Sequence, residues 1–164
     1  MNNKLIVLSP DLYFSYGQFF VYDKELTNPA TEWSPDHTRQ GFARRERAIA
    51  VGTLLEFGFA TVTVGLDLPN PLTSYERVLA LPLELRSGLL AVDGPEEHPI
   101  ARWCPAAPGY YRVLIAQRTI EDEREDIAIS LERLATRLDR SEVLIADDAL
   151  DPPTPLIETA CAVS

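Results

Sequence analysis

The densest run of side chains able to do chemistry is Glu121, Asp122, Glu123, Glu125 and Asp126, broken only by Arg124. Paired carboxylates can serve as general acid and base or bind Mg²⁺. Such a run is more commonly a solvated turn. A third use is a carboxylate surface that imitates DNA phosphates toward a basic protein groove. Asp147, Asp148 and Asp151 form a second acidic group that could extend this surface. The equipment that would make the carboxylates catalytic is missing. None of the 8 glycines forms a GxG phosphate cradle, and there is no GxSxG nucleophile turn. The 2 histidines, His37 and His98, make no HxxxH, and the 2 cysteines make no CxxC. Glu96, Glu97 and His98 are a weak acid–base or metal cluster, more readily a plain loop. No catalytic residue, metal site or cofactor is therefore assigned.

Charge narrows the partners. Of the net charge of −10, most falls after Ile120, where residues 121–164 hold 12 acids against 4 bases. Such a balance repels phosphates, so direct nucleic acid binding is disfavoured. The aromatics Tyr13, Phe14, Tyr16, Phe19, Phe20 and Tyr22 could stack bases, but core packing or an exposed protein-binding face suits an acidic chain better. Arg44, Arg45 and Arg47 form a small basic cluster explained by a helix end or by an anion or partner contact.

The elements that must position these residues read mainly as strands. Period-2 alternation runs through Leu12–Tyr22, as one strand or a bent pair, with Gly17 marking a bulge. Ser34-Pro35-Asp36 is a helix start, and the helix is expected to reach Arg45 or Arg47, covering residues 34–46. Thr38 and Phe42 would share a face with Trp33, and His37 would be a solvated helix residue. Strands follow at 48–51, 57–67 and 75–85, with a turn at Pro69, Asn70 and Pro71 and an edge or bulge at Pro82. Gly88–Val92 reads as the hairpin partner of 75–85, then 93–108 as a loop holding Trp103 and Cys104. Residues 109–120 are a clear strand. At 125–133 strict alternation favours a strand, although Ile127, Leu131, Leu134 and Leu138 also fit a helix. A short strand at 142–146 and an extended proline-containing tail from about Asp151 complete the chain. The expected fold is a mainly β, two-layer antiparallel β-sandwich with one α-helix near residues 34–46, as a single domain spanning 1–164.

Nothing approaches a membrane span or a signal-peptide core, so the chain reads as cytoplasmic with free thiols. One further pattern stands out: Ser15-Tyr16-x-Gln18-Phe19-x-Val21, then Glu32-Trp33, Gly41-Phe42-Ala43 and Ala48-Ile49, with Ser74-Tyr75-Glu76 and Gly109-x-Tyr111 later. In order and rough spacing it resembles the competence protein J family, which includes the inhibitor of the DNA-entry nuclease. The resemblance covers roughly residues 12–115 and fades after Ile120. It implies a non-enzymatic protein that binds and blocks a nuclease, of DNA-uptake or toxin type, and it transfers no individual inhibitory residue. The acidic residues Glu121, Asp122, Glu123, Glu125, Asp126, Asp147, Asp148 and Asp151 are the expected partner-binding set. The alternative is a small-ligand-binding or accessory β-sandwich.

Overall fold

The computed structural model describes residues 6–65, 72–95 and 102–164. The expected turn at 69–71 and the cluster Glu96, Glu97 and His98 lie outside these residues. Two sheets face each other. The larger has the order β1 (Ile6–Phe14), β5 (Gly58–Gly65), β10 (Arg124–Leu134), β9 (Gly109–Glu121), β6 (Arg77–Leu85) and β11 (Glu142–Ile145). The smaller has the order β3 (Phe42–Arg44), β4 (Ala48–Gly52), β2 (Gln18–Asp23), β7 (Leu89–Asp93) and β8 (Arg102–Pro105). The pairings are antiparallel except β5 with β10, which is parallel. The expected mainly β sandwich with one α-helix is what forms, with one parallel pair among the antiparallel ones, and the ambiguous segment at 125–133 is a strand.

Alternation explains the layers. Leu12 and Phe14, Phe19 and Val21, Val62 and Val64, Leu79 and Leu81, Val113 and Ile115, and Ile127 and Ile129 point between the sheets and are fully or nearly fully buried. The outer face of the smaller sheet carries the small residues Ala43, Ala48, Ala50 and Ala91 beside Phe20 and Tyr22. Their size lets Leu26, Ala30 and Trp33 of the loop after β2, and Ala160 of the C-terminal segment, lie close on the sheet.

Several expectations are corrected. Helix α1 spans only Pro35–Gln40. Gly41 follows it with φ +88°, the left-handed conformation that glycine adopts without steric cost, and turns the chain into β3. Phe42 is thus a buried strand residue rather than part of a helical face, and Thr38 is exposed. The three arginines consequently do not form a helix-end cluster. Arg44 reaches Ser141, Glu158 and the Asp139 carbonyl, Arg45 reaches Thr31 and the Asn28 carbonyl, and Arg47 reaches Asp23 and Glu25. His37 is buried, not solvated: Ser34 N–H donates to its Nδ1 at 2.9 Å, and Nε2 lies 2.9 Å from the Thr159 carbonyl.

Further corrections concern pairing and turns. β7 belongs to the opposite sheet from β6 and is no hairpin partner. The segment between them crosses over because Asp23, fully buried at the end of β2, captures it: Arg86 N–H and Ser87 N–H donate to Asp23 Oδ2, and Ser87 Oγ donates to Oδ1. The expected loop at 93–108 contains β8, which places Cys104 in the core and leaves Trp103 half exposed. Gly17 is a turn residue between β1 and β2 rather than a bulge. Past β11 the chain has no helix or strand beyond one bridge of Ala162 to Thr31. It is held by buried Gln40, whose side-chain amide exchanges two hydrogen bonds with Ile157, at 2.8 and 3.0 Å. Glu158 accepts from Arg44 and Ser141. Among the described residues no helix is long and apolar enough to cross a membrane.

Candidate protein-binding site

One end of the sandwich gathers the turn at 16–17, the β4–β5 loop, the β9–β10 turn and the start of β6. Backbone bonds stitch them together. Gly17 N–H donates to the Glu56 carbonyl at 2.7 Å, and Thr53 N–H to the Gly17 carbonyl at 2.9 Å. Phe59 N–H donates to the Glu123 carbonyl at 2.8 Å. Gly58 makes that last approach possible, because a Cβ there would overlap the Glu123 carbonyl. Tyr16 and Glu123 both adopt left-handed backbone, φ 58° and 62°, at the tips of their turns.

Beneath the loops lies a polar floor. Arg77, with 4% of its side chain exposed, forks onto Asp147 at 2.7 and 3.1 Å and donates a third bond to the Gly52 carbonyl at 3.0 Å. Gln117 Nε2 donates to the same carbonyl at 2.9 Å. Glu125 is fully buried and accepts from Leu55 N–H at 3.0 Å. Burial pushes its carboxyl above the usual range, against the opposing pull of the Leu55 and Leu54 N–H groups, the Arg77 charge and the Gln117 amide. Above Arg77 opens a cleft of about 400 Å³, lined by Tyr16, Gln18, Trp33, Gly52, Arg77 and Leu150. Trp33 Nε1 donates to Gln18 Oε1 at 2.9 Å and fixes one wall.

The structure sorts the expected acidic set into exposed and engaged members. Asp122, Glu123 and Asp148 are exposed and carry no side-chain hydrogen bond or ion pair among the described residues. Glu121 is exposed, with Arg124 at 3.5 Å, and Asp151 is exposed, with Arg39 at 3.4 Å. Asp126 is held by Arg118 at 2.8 Å, and Asp147 is held by Arg77. Glu125 is sealed inside. Glu56, exposed and unpaired among the described residues beside the Tyr16 turn, was not singled out in the sequence. The aromatics expected either in the core or on an exposed face divide: Tyr16 is 82% exposed and Tyr13 42%, whereas Phe14, Phe19, Phe20 and Tyr22 are buried, and Phe57, which the sequence did not single out, is 53% exposed. Among the described residues, no group of three His, Cys, Asp or Glu is placed to hold a metal ion.

The family model of competence protein J matches residues 11–138, most of the chain. The chain belongs to the competence protein J family. Among solved structures it is similar to ComJ of Bacillus subtilis, described as an inhibitor of the DNA-degrading activity of NucA. The identity is 19% and the TM-score 0.67, and the match covers 80% of this chain and 96% of that one. Likeness at this identity speaks for a shared fold. A search of the curated proteins finds no match. Several residues that carry the family resemblance in the sequence, Tyr16, Gln18, Trp33 and Gly41, meet around the cleft over Arg77. Residues 139–164, which supply β11, Asp147, Leu150 and the segment on Gln40, lie outside the family match.

Proposed function

We propose that this protein is a non-enzymatic inhibitor that binds a nuclease and blocks its access to DNA. The observation that carries this reading is the family match over residues 11–138, together with the described role of the similarly folded Bacillus subtilis protein. The geometry supports it with a surface of suitable chemistry. Glu56, Glu121, Asp122, Glu123 and Asp148 stand exposed around one end, on loops braced by strands. Carboxylates held this way would complement a groove that evolved to receive phosphates and would speed encounter with it. A cytoplasmic location fits the two free cysteines, Cys104 and Cys161.

The ligand-binding alternative needs a deep apolar pocket between the sheets. The facing side chains there are buried core residues, and the cleft over Arg77 is at the end of the sandwich. The test is titration of the protein into a DNA-digestion assay with a DNA-uptake nuclease. Digestion should stop near stoichiometric addition and recover as salt rises. Undiminished digestion in excess inhibitor would sink the reading.

A further inference from the structure

Tyr16 is held in a way the fold does not need. It occupies left-handed backbone at φ 58°, a region that costs a residue with a Cβ and is normally filled by Gly or Asn. Its neighbour Gly17, at φ 65°, is the residue type such a turn favours. The Tyr16 side chain is 82% exposed, so little burial offsets the strain. A bulky aromatic therefore sits at a turn tip where a smaller residue would serve folding better. Residues held in strained backbone at exposed positions mark functional contacts more often than structural ones.

The surroundings show what such a side chain would meet. Phe57, 53% exposed, stands on the β4–β5 loop that is hydrogen-bonded to the Tyr16 turn. Glu56 on the same loop and Asp122 and Glu123 on the adjoining turn are unpaired among the described residues. Tyr16 also lines the cleft walled by Trp33 and Leu150, whose volume of about 400 Å³ has room for a side chain from outside. Tyrosine and tryptophan with an apolar body and a polar tip are the residues that most often carry interface energy. A rim of uncompensated carboxylates around them fits a basic surface.

Resting on the nuclease-inhibitor reading, we propose that Tyr16 is the anchor of the interface. It inserts with Phe57 into the basic DNA-binding groove of the nuclease, while Glu56, Asp122 and Glu123 lie against that groove's cations and the cleft beside Trp33 accepts one nuclease side chain. The anchor costs the free protein stability and returns it as affinity in the complex.

The experiment uses the full chain and the variants Tyr16→Gly and Phe57→Ser, with thermal unfolding and nuclease inhibition measured on the same preparations. Tyr16→Gly relieves the backbone strain, so its Tm should rise by about 2–4 °C. Its inhibition constant should nevertheless weaken by about 30-fold, the loss expected of an anchoring residue. Phe57→Ser should weaken inhibition by about tenfold. Inhibition should be competitive with DNA. If the unmodified protein does not inhibit, the nuclease reading fails and this inference fails with it. If the unmodified protein inhibits and Tyr16→Gly inhibits equally, the anchor is wrong and the reading stands. Loss of inhibition together with a lowered Tm would make Tyr16 a structural residue and overturn the proposal, and noncompetitive inhibition would overturn the groove as its target.

Discussion

Replacing Asp23 by Asn isolates the charge that ties the two sheets. Asp23 is fully buried and receives Arg47 Nη2 at 2.7 Å, Arg47 Nε at 3.1 Å, Arg86 N–H at 2.7 Å, Ser87 N–H at 3.3 Å, Glu25 N–H at 3.2 Å and the Ser87 hydroxyl. Burial alone would raise its carboxyl, but the bonds from Ser87, Arg86, Arg47 and Glu25 prevail and hold it down to about 2, against 3.8 ordinarily. At about 1.4 kcal/mol per unit, discounted for the part of the network that Glu25 opens to water, the charge contributes about 2 kcal/mol. Asparagine keeps one acceptor oxygen in place of two and aims an NH₂ at Arg47, adding about 1 kcal/mol for donors left unmet. The expected loss of about 3 kcal/mol corresponds to a urea midpoint lower by about 1.5 M. The sign with pH follows from the lowered value: the charge contribution is complete above about pH 5, falls to about half at pH 3 and is nearly gone at pH 2. The difference between the two proteins should narrow over that window. A midpoint change below about 0.5 M at pH 7, or a difference unchanged from pH 5 to pH 2, would refute the assignment.

Three further outcomes are expected. Glu158→Ala removes the carboxylate facing Arg44, whose side chain is 8% exposed, and should cost about 2–3 kcal/mol while opening residues 152–164 to proteolysis, read by mass spectrometry of timed digests. Gly58→Ala drives a Cβ into the Glu123 carbonyl at a positive φ and should cost about 3 kcal/mol, read by urea unfolding. A thiol reagent should label Cys161, which is exposed, and spare Cys104, whose thiol is buried and pushed up by that burial; denaturant should raise labelling from one to two per chain.

Strand alternation was legible because the core is built from it. It gave β9 and β10, most of β2, β5 and β11, and only the Leu12–Phe14 end of β1 (Ile6–Phe14), and it included the strand at 125–133 where a helix competed. The misreadings have separate causes. Three arginines downstream suit a helix end and carry the expected helix through Gly41, yet a glycine after one and a half turns is the stronger stop signal. The arginines' carboxylate partners, Asp23 and Glu158, are 24 and 114 residues away from Arg47 and Arg44, and no local pattern announces such pairs. β7 was paired with β6 because a short turn favours a hairpin; the buried carboxylate of Asp23, which turns the segment into a crossover, is invisible without the fold. Trp103 and Cys104 sat in a proline-rich stretch whose strand forms only because β7 offers a free edge.

The candidate site was half legible, and its error could have been found by the same alternation. Glu125 has the parity of Ile127, Ile129 and Leu131, the residues that face the core, whereas Asp126 has the outward parity. Charge density alone marked all five acids as surface; strand geometry divides them, sending Glu125 inward to hold the β4–β5 loop through Leu55 and leaving Asp122 and Glu123 at the turn. The aromatic run from Tyr13 to Tyr22 divides likewise. Of its strand members, Phe14, Phe19, Phe20 and Tyr22 fill the core or the covered outer face and Tyr13 is 42% exposed, while the turn member, Tyr16, is released to solvent. Turns free a side chain from the two-face rule, and Tyr16, Glu56, Phe57, Asp122 and Glu123 are exposed on turns and loops, all within the family match.

The segment outside that match strengthens the distinction between working face and scaffold. β11 covers part of the outer edge of β6, and residues 156–163 run beside the short edge strand β3, tied to Gln40, Arg44 and His37. Both are edges that would otherwise offer unpaired backbone to another chain. The extension therefore covers part of the β6 edge and runs past β3, while the loops carrying Tyr16, Phe57 and the free carboxylates remain exposed. Its contribution to the open end is Asp147 beneath Arg77, Ala149 and Leu150 on the cleft wall and Asp148 at the rim. A partner surface placed on the extension would have to displace contacts that hold buried Arg44 and Gln40, whereas Tyr16, Phe57, Asp122 and Glu123 on the loop end are already exposed.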